Sequence, residues 1–156
     1  MQVYEATYLD NRFHIILTPG LWAFHMLEAW TRGSVWTGTG KVLGDWEDLE
    51  PRKQYANRIT GAYYSARLGV LEHMNSKRRS GACLIWRDIG PEYWAPVGVW
   101  LIRETVREAL RGTAKEFDTL EKAIEYVAPR VSAPDDLRNS WFVKRGRQMR
   151  LDAFTI

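Results

Sequence analysis

Apolar and polar positions along the chain fall into two periods. Tyr4, Ala6 and Tyr8 alternate with Glu5 and Thr7, and Phe13, Ile15 and Leu17 alternate again after Asp10-Asn11, which predicts an opening β-hairpin. Pro19-Gly20 ends it. In the following LWAFHMLEAW, Ala23, Leu27 and Trp30 recur at helical spacing, predicting a short helix before Gly33. From Ser34 to Gln54 glycines and proline interrupt Val35, Trp36, Val42, Leu43 and Trp46, the pattern of a long connection pinned by aromatics, with room for one short strand. Ile59, Tyr63, Ala66, Val70 and Met74 then mark one face of a helix over about 57–77, the most apolar in the chain.

Lys77-Arg78-Arg79 closes that helix, where positive charge suits the dipole; a phosphate contact is the alternative. ACLIWRDI, between Ser80-Gly81 and Gly90-Pro91, reads as a buried strand. Three helices follow. Val99, Ile102, Val106 and Leu110 space the first, which opens near Pro96 and stops at Gly112. Asp118 and Glu121 form a start signal for the second, ending at Pro129, and the third begins near Pro134 and is expected to fray at Gly146. The expected fold is α+β: a small sheet including the N-terminal hairpin, packed with four or five helices and ending in a short tail. Residues 1–145 form a single domain in this reading, and 146–156 the tail.

With 156 residues, 46% of them hydrophobic and 26% charged, the chain has the composition of one ordinary globular domain, which excludes disordered, collagen-like and coiled-coil classes. No apolar run is long enough to span a bilayer and MQVYEATYLD lacks signal-peptide organisation, so a cytoplasmic protein without membrane contact is expected. One cysteine, Cys83, cannot form an internal disulfide, and with three scattered histidines it makes no zinc site; neither metal nor cofactor is indicated. The net charge is +3, yet 137–150 alone carries +5, leaving −2 for the rest. Basicity sits beside the C-terminus, where Lys144, Arg145 and Arg147 are candidates for nucleic-acid contact.

For chemistry, Arg67, Arg103, Glu104 and Asp45 are the candidate catalytic or phosphate-binding residues. Arginines near aromatic rings can hold a phosphate, and the carboxylates suit acid/base work. Each has a structural alternative, because Arg103-Glu104 beside Arg107-Glu108 offers ion pairing at helical spacing. Whether the domain is an enzyme stays open. Cys83 lies in an apolar strand, His14, His25 and His73 sit on separate elements, and TGTGK is only a fragment of a phosphate loop.

The last local signal is QMRLDAF, with Gln148, Leu151 and Phe154 spaced as in the PIP box, the peptide that docks on the sliding DNA clamp PCNA. A single 3₁₀ turn brings residues three apart to one side, so that Leu151 and Phe154 can share a pocket while Gln148 hydrogen-bonds beside it. Thr155 stands where that pattern has a second aromatic, and folding of Leu151 and Phe154 onto the chain's own core is the alternative. EATYLDNRF, LTPGLWAFHMLEAW, GSVW, GDWED, GAYYSARLGVLEHMNSKRR, PEYWAPVGVWLIRETVREAL and the terminal QMRLDAF together resemble the C-terminal part of the archaeal Nre family. That resemblance implies archaeal origin, a role in the DNA damage response and recruitment by PCNA, with DNA as a further partner. It also implies longer proteins with an N-terminal domain and a zinc-binding cysteine motif. Neither is expected here, which makes the chain an excised domain, a split member, or a module completed by an Nre-like N-terminal partner. A nucleic-acid or nucleotide-processing enzyme and a scaffold module are the alternative functions.

Overall fold

The hairpin forms as its alternation requires. β1 (Gln2–Tyr8) and β2 (Asn11–Pro19) pair antiparallel from Gln2 opposite Leu17 to Tyr8 opposite Asn11. The turn lies at Leu9 and Asp10, one residue earlier than expected, both with positive φ, the backbone that matches strand twist in a two-residue hairpin. The computed structural model describes residues 1–31, 40–50, 52–94 and 97–152, with the backbone alone for 149–152. Val35, Trp36, Pro96, Phe154 and most of TGTGK lie outside the described residues.

The segment expected to be a short helix is instead β3 (Ala23–Trp30), buried along nearly its whole length. It runs parallel to β5 (Gly81–Ile89), which pairs antiparallel with β2 on its other side. β4 (Val42–Glu47) is a strand within the aromatic connection and forms the described sheet edge beside β3, while β6 (Lys115–Glu116) closes the other edge against β1. The order is β4-β3-β5-β2-β1-β6. Covered on both faces, β3 is buried almost throughout, His25 and Glu28 included, and shows no alternation, so Ala23, Leu27 and Trp30 fall at helical intervals by coincidence.

Helices sandwich the sheet. On one face α1 (Thr60–Ser76) and α2 (Val99–Arg111) pack over Phe13, Ile15, Phe24, Met26 and Ile85. The opposite face carries α3 (Leu120–Val127), a 3₁₀ turn (Ala128–Arg130), α4 (Pro134–Arg138) and α5 (Trp141–Asp152), seated on Ile16, Leu27, Leu84 and Trp86. The α3 cap is Thr119, whose hydroxyl accepts from the Lys122 N–H, and not Asp118, which pairs with the Lys122 side chain. The expected last helix divides in two at Asn139-Ser140, and Gly146 does not end it: α5 runs on to Asp152, across the boundary expected between domain and tail.

Candidate functional site

β4 alternates sides. Asp45 and Glu47 turn inward and are buried, while Trp46 between them faces out and is 45% exposed. Asp45 Oδ2 accepts from the N–H groups of Arg58 and Ile59, both at 2.9 Å, and thereby caps α1, whose own N-cap residue Ile59 has no side chain to do so. Glu47 Oε1 accepts from Trp22 Nε1 and Arg67 Nε, each at 2.7 Å, and the Arg67 guanidinium lies 5.5 Å from the Trp22 ring centre. Burial and the neighbouring Glu47 carboxylate push the Tyr63 hydroxyl well above its ordinary pKa. Outside these acids opens a groove of about 480 Å³, lined by Trp46, Asp48, Glu50, Arg52, Lys53 and Arg58 among others.

The sequence candidates for chemistry divide between two clusters. Asp45 and Arg67 serve β4 as just described. Arg103 pairs with its neighbour Glu104 at 3.2 Å, and Glu104 also accepts from Arg107 at 2.7 Å. Arg107 forks onto both oxygens of Glu72 at 2.7 Å, which raises its pKa and lowers that of Glu72. Asp45 and Arg67 thus tie β4 to α1, Arg103 and Glu104 pair within α2, and neither Arg67 nor Arg103 lines the groove. Among the described residues no three His, Cys, Asp or Glu side chains gather as metal ligands. The Cys83 thiol is fully enclosed and its pKa is pushed up by burial. The histidines stay apart: His14 contacts Glu5 at 3.1 Å, His25 stands edge-on to Trp141, and His73 edge-on to Tyr4.

α5 supplies the most concentrated arrangement. Trp141, Lys144, Arg145 and Gln148 recur at the spacing of one helix face, opposite Phe142 and Val143 in the core. Trp141 stacks on Trp46 with ring centres 4.3 Å apart and planes at 13°. Arg145 lies 5.9 Å from the Trp141 ring centre and forks onto Asp48, with Nε 3.0 Å from both oxygens and an amino nitrogen 2.7 Å from Oδ1. The pairing leaves Arg145 only 15% exposed and lowers the Asp48 pKa. Lys144 and Arg147 are exposed, and no acid among the described residues pairs with either. Gln148 is exposed in the same helix and the Leu151 backbone is still helical three residues on, so the expected 3₁₀ turn is α-helix up to Asp152. Sequence reasoning singled out Lys144, Arg145 and Arg147 but missed Asp48 as the partner of Arg145 and Trp46 as the partner of Trp141. The alternation in Asp45-Trp46-Glu47 was the available signal for an outward Trp46; a pairing across 97 positions, Asp48 to Arg145, has none.

Comparison with known proteins adds the last findings. Residues 47–154 match the model of the family described as Archaeal Nre, C-terminal, and residues 1–37 match Archaeal Nre, N-terminal, so part of the family's N-terminal region, expected to be missing, is present. The DNA repair protein NreA of Haloferax volcanii is 37% identical over 131 residues, covering 81% of this chain and 31% of that protein. NreA of Archaeoglobus fulgidus is 35% identical over 97% of this chain, and the DNA repair protein NreB of the same organism 39% identical over 92%; each is covered to 38%. The chain spans about a third of the length of these curated relatives. No solved structure matches it.

Proposed function

Because the chain belongs to the archaeal Nre family, we propose that it serves DNA repair and docks on the sliding clamp PCNA through Gln148, Leu151 and Phe154. The observation that carries this reading is the Gln-x-x-Leu-x-x-Phe spacing at the end of the chain, after a helix whose outer face is basic, in a chain whose relatives are named DNA repair proteins. Lys144 and Arg147 precede the motif without acid partners among the described residues and favour an encounter with a polyanion or an acidic rim. Recruitment is supported over catalysis because the arginines and carboxylates expected to react are engaged in structural pairs. In this reading the domain works in the cytoplasm, where no membrane separates it from DNA. No helix among the described residues is long and apolar enough to cross a bilayer. An Nre-like N-terminal module is its natural companion.

Burying a leucine and a phenylalanine yields roughly 3 to 6 kcal/mol before ordering costs, so docking is of modest affinity. Titration calorimetry against an archaeal clamp tests it. The Leu151→Ala, Phe154→Ala double variant is expected to bind at least about tenfold more weakly than the unaltered chain. Equal heats and affinities for the two would remove the motif from the interface.

A further inference from the structure

We propose that the outward face of α5 and the edge strand β4 bind single-stranded DNA: an unpaired base stacks on Trp46, flanking phosphates lie against Lys144 and against Lys53 and Arg58, and Arg145 exchanges Asp48 for a phosphate. The choice of DNA as ligand rests on the repair reading above; the arrangement of rings and cations stands on its own geometry.

Three observations carry it. Trp46 is a large ring held flat by its stack on Trp141, at 4.3 Å, and remains 45% exposed, so its position is already set before any ligand arrives. Pre-set aromatic faces of this kind accept any base that is not already stacked in a duplex. Cations come from both segments that carry the stacked pair. Lys53 and Arg58 line the groove that Trp46 also lines, Lys144 lies one helical turn beyond Trp141, and none of the three side chains forms an ion pair among the described residues. The nearby acids are mostly neutralised: Asp45 is 3.6 Å from Arg52, Glu47 is bonded to Arg67, and Asp48 to Arg145, leaving Glu50 as the exposed acid of the groove. Finally, the Arg145 fork that Asp48 occupies, two parallel donors beside an aromatic ring, is the geometry that grips a phosphate equally well. Asp48 thus acts as a stand-in anion on a site that a phosphodiester can claim.

Fluorescence anisotropy of a labelled oligo(dT), with the full chain and without clamp, tests the proposal. The oligonucleotide is expected to bind more tightly than a duplex of equal length. Trp46→Ala should weaken binding about 5- to 100-fold, the range for one lost stacking partner, while Trp46→Phe keeps most of it. Asp48→Asn should tighten binding several-fold by releasing Arg145. Three phosphate contacts predict a log–log salt slope of about −2. Circular dichroism of each variant separates lost binding from lost folding; should Trp46→Ala unfold, Asp48→Asn and Trp46→Phe decide alone. Duplex preferred over single strand, Trp46→Ala binding as the unaltered chain does, or Asp48→Asn binding no more tightly would each overturn the site. The Leu151→Ala, Phe154→Ala variant is expected to bind oligo(dT) unchanged, which keeps failure of this site distinct from failure of clamp docking.

Discussion

At the scale of single residues, the buried polar groups decide how the molecule responds to its solvent. Burial holds His25 neutral, with a pKa pushed down to about 4, against the opposing pull of Asp45. The unfolded chain takes up a proton on this imidazole near pH 6.5, whereas the folded chain does so only near 4. Stability therefore falls as pH drops through that window and levels off below it. The expected loss is on the order of 3 kcal/mol. Urea midpoints at pH 7 and pH 4.5 measure it, and His25→Gln should remove most of the difference; an unchanged drop in the variant would point to His14, which burial shifts in the same direction. A second buried group is Arg87, which donates to Glu28 on β3 and, through Nε and an amino nitrogen, to the Asn11 side chain. Arg87→Ala strands Glu28 without a counter-charge and is expected to cost about 3 to 5 kcal/mol in urea unfolding, while the Glu28→Met, Arg87→Met pair costs much less. Additive losses in that double variant would argue against a coupled pair. None of these partners is visible locally in the sequence: Glu28 and Arg87 are 59 positions apart and meet only because β3 and β5 run parallel in register.

Elements were legible where one of their faces met solvent. β1 announced itself through alternation, and α1 and α2 through four-three spacing, because each turns one side outward, whereas β2 is buried on both faces over residues 13–16 and was placed by its turn and its partner strand. β3 misled for the opposite reason. With helices on both faces of the sheet it has no polar side to reveal its period, and its one charge, Glu28, is inside. Gly146 misled because glycine is read as a stop. Here α5 continues through it, and a Cβ at that position would come within 2.8 Å of Leu120 Cδ2 on α3, so only the end of the Leu120 side chain would have to move. Gly69 lies where α1 meets α2. A Cβ at Gly69 would lie 3.0 Å from Val106 Cγ1 and 3.7 Å from the Arg103 carbonyl oxygen, so these helices are spaced by glycine. Gly69→Leu is expected to destabilise by about 1 to 3 kcal/mol through overpacking, despite leucine's better helix propensity. Leu68→Ala, one residue away on the exposed side, should stay within about 0.5 kcal/mol. Thermal melts of the two variants compare them directly, and similar midpoints would mean the helices can separate at little cost.

At the scale of the whole molecule, the two family models and the fold divide the chain differently. Residues 1–37 match one model and contain β1, β2 and β3, whereas 47–154 match the other and contain β5, β6 and, among the described residues, the five α-helices. The sheet ignores that division. β5 lies between β2 and β3, so each of its edges is satisfied by a strand from the first segment, and the order β4-β3-β5-β2-β1-β6 interleaves the two. Ile16, Ala23 and Leu27 from the first segment also form the floor on which α3 and α5 rest. A chain beginning at Lys41 would keep every helix and lose the strands on both sides of β5, exposing a nine-residue strand whose side chains are all buried in the intact fold. Such a fragment has an unpaired apolar strand with two open edges, the condition for aggregation rather than folding. It is expected to lack a cooperative thermal transition and to fail in DNA binding, while co-expression with residues 1–40 restores both the transition and solubility. A fragment that melted cooperatively alone would show that the C-terminal match is an autonomous domain, and that the strands before it are an attachment to a core formed without them.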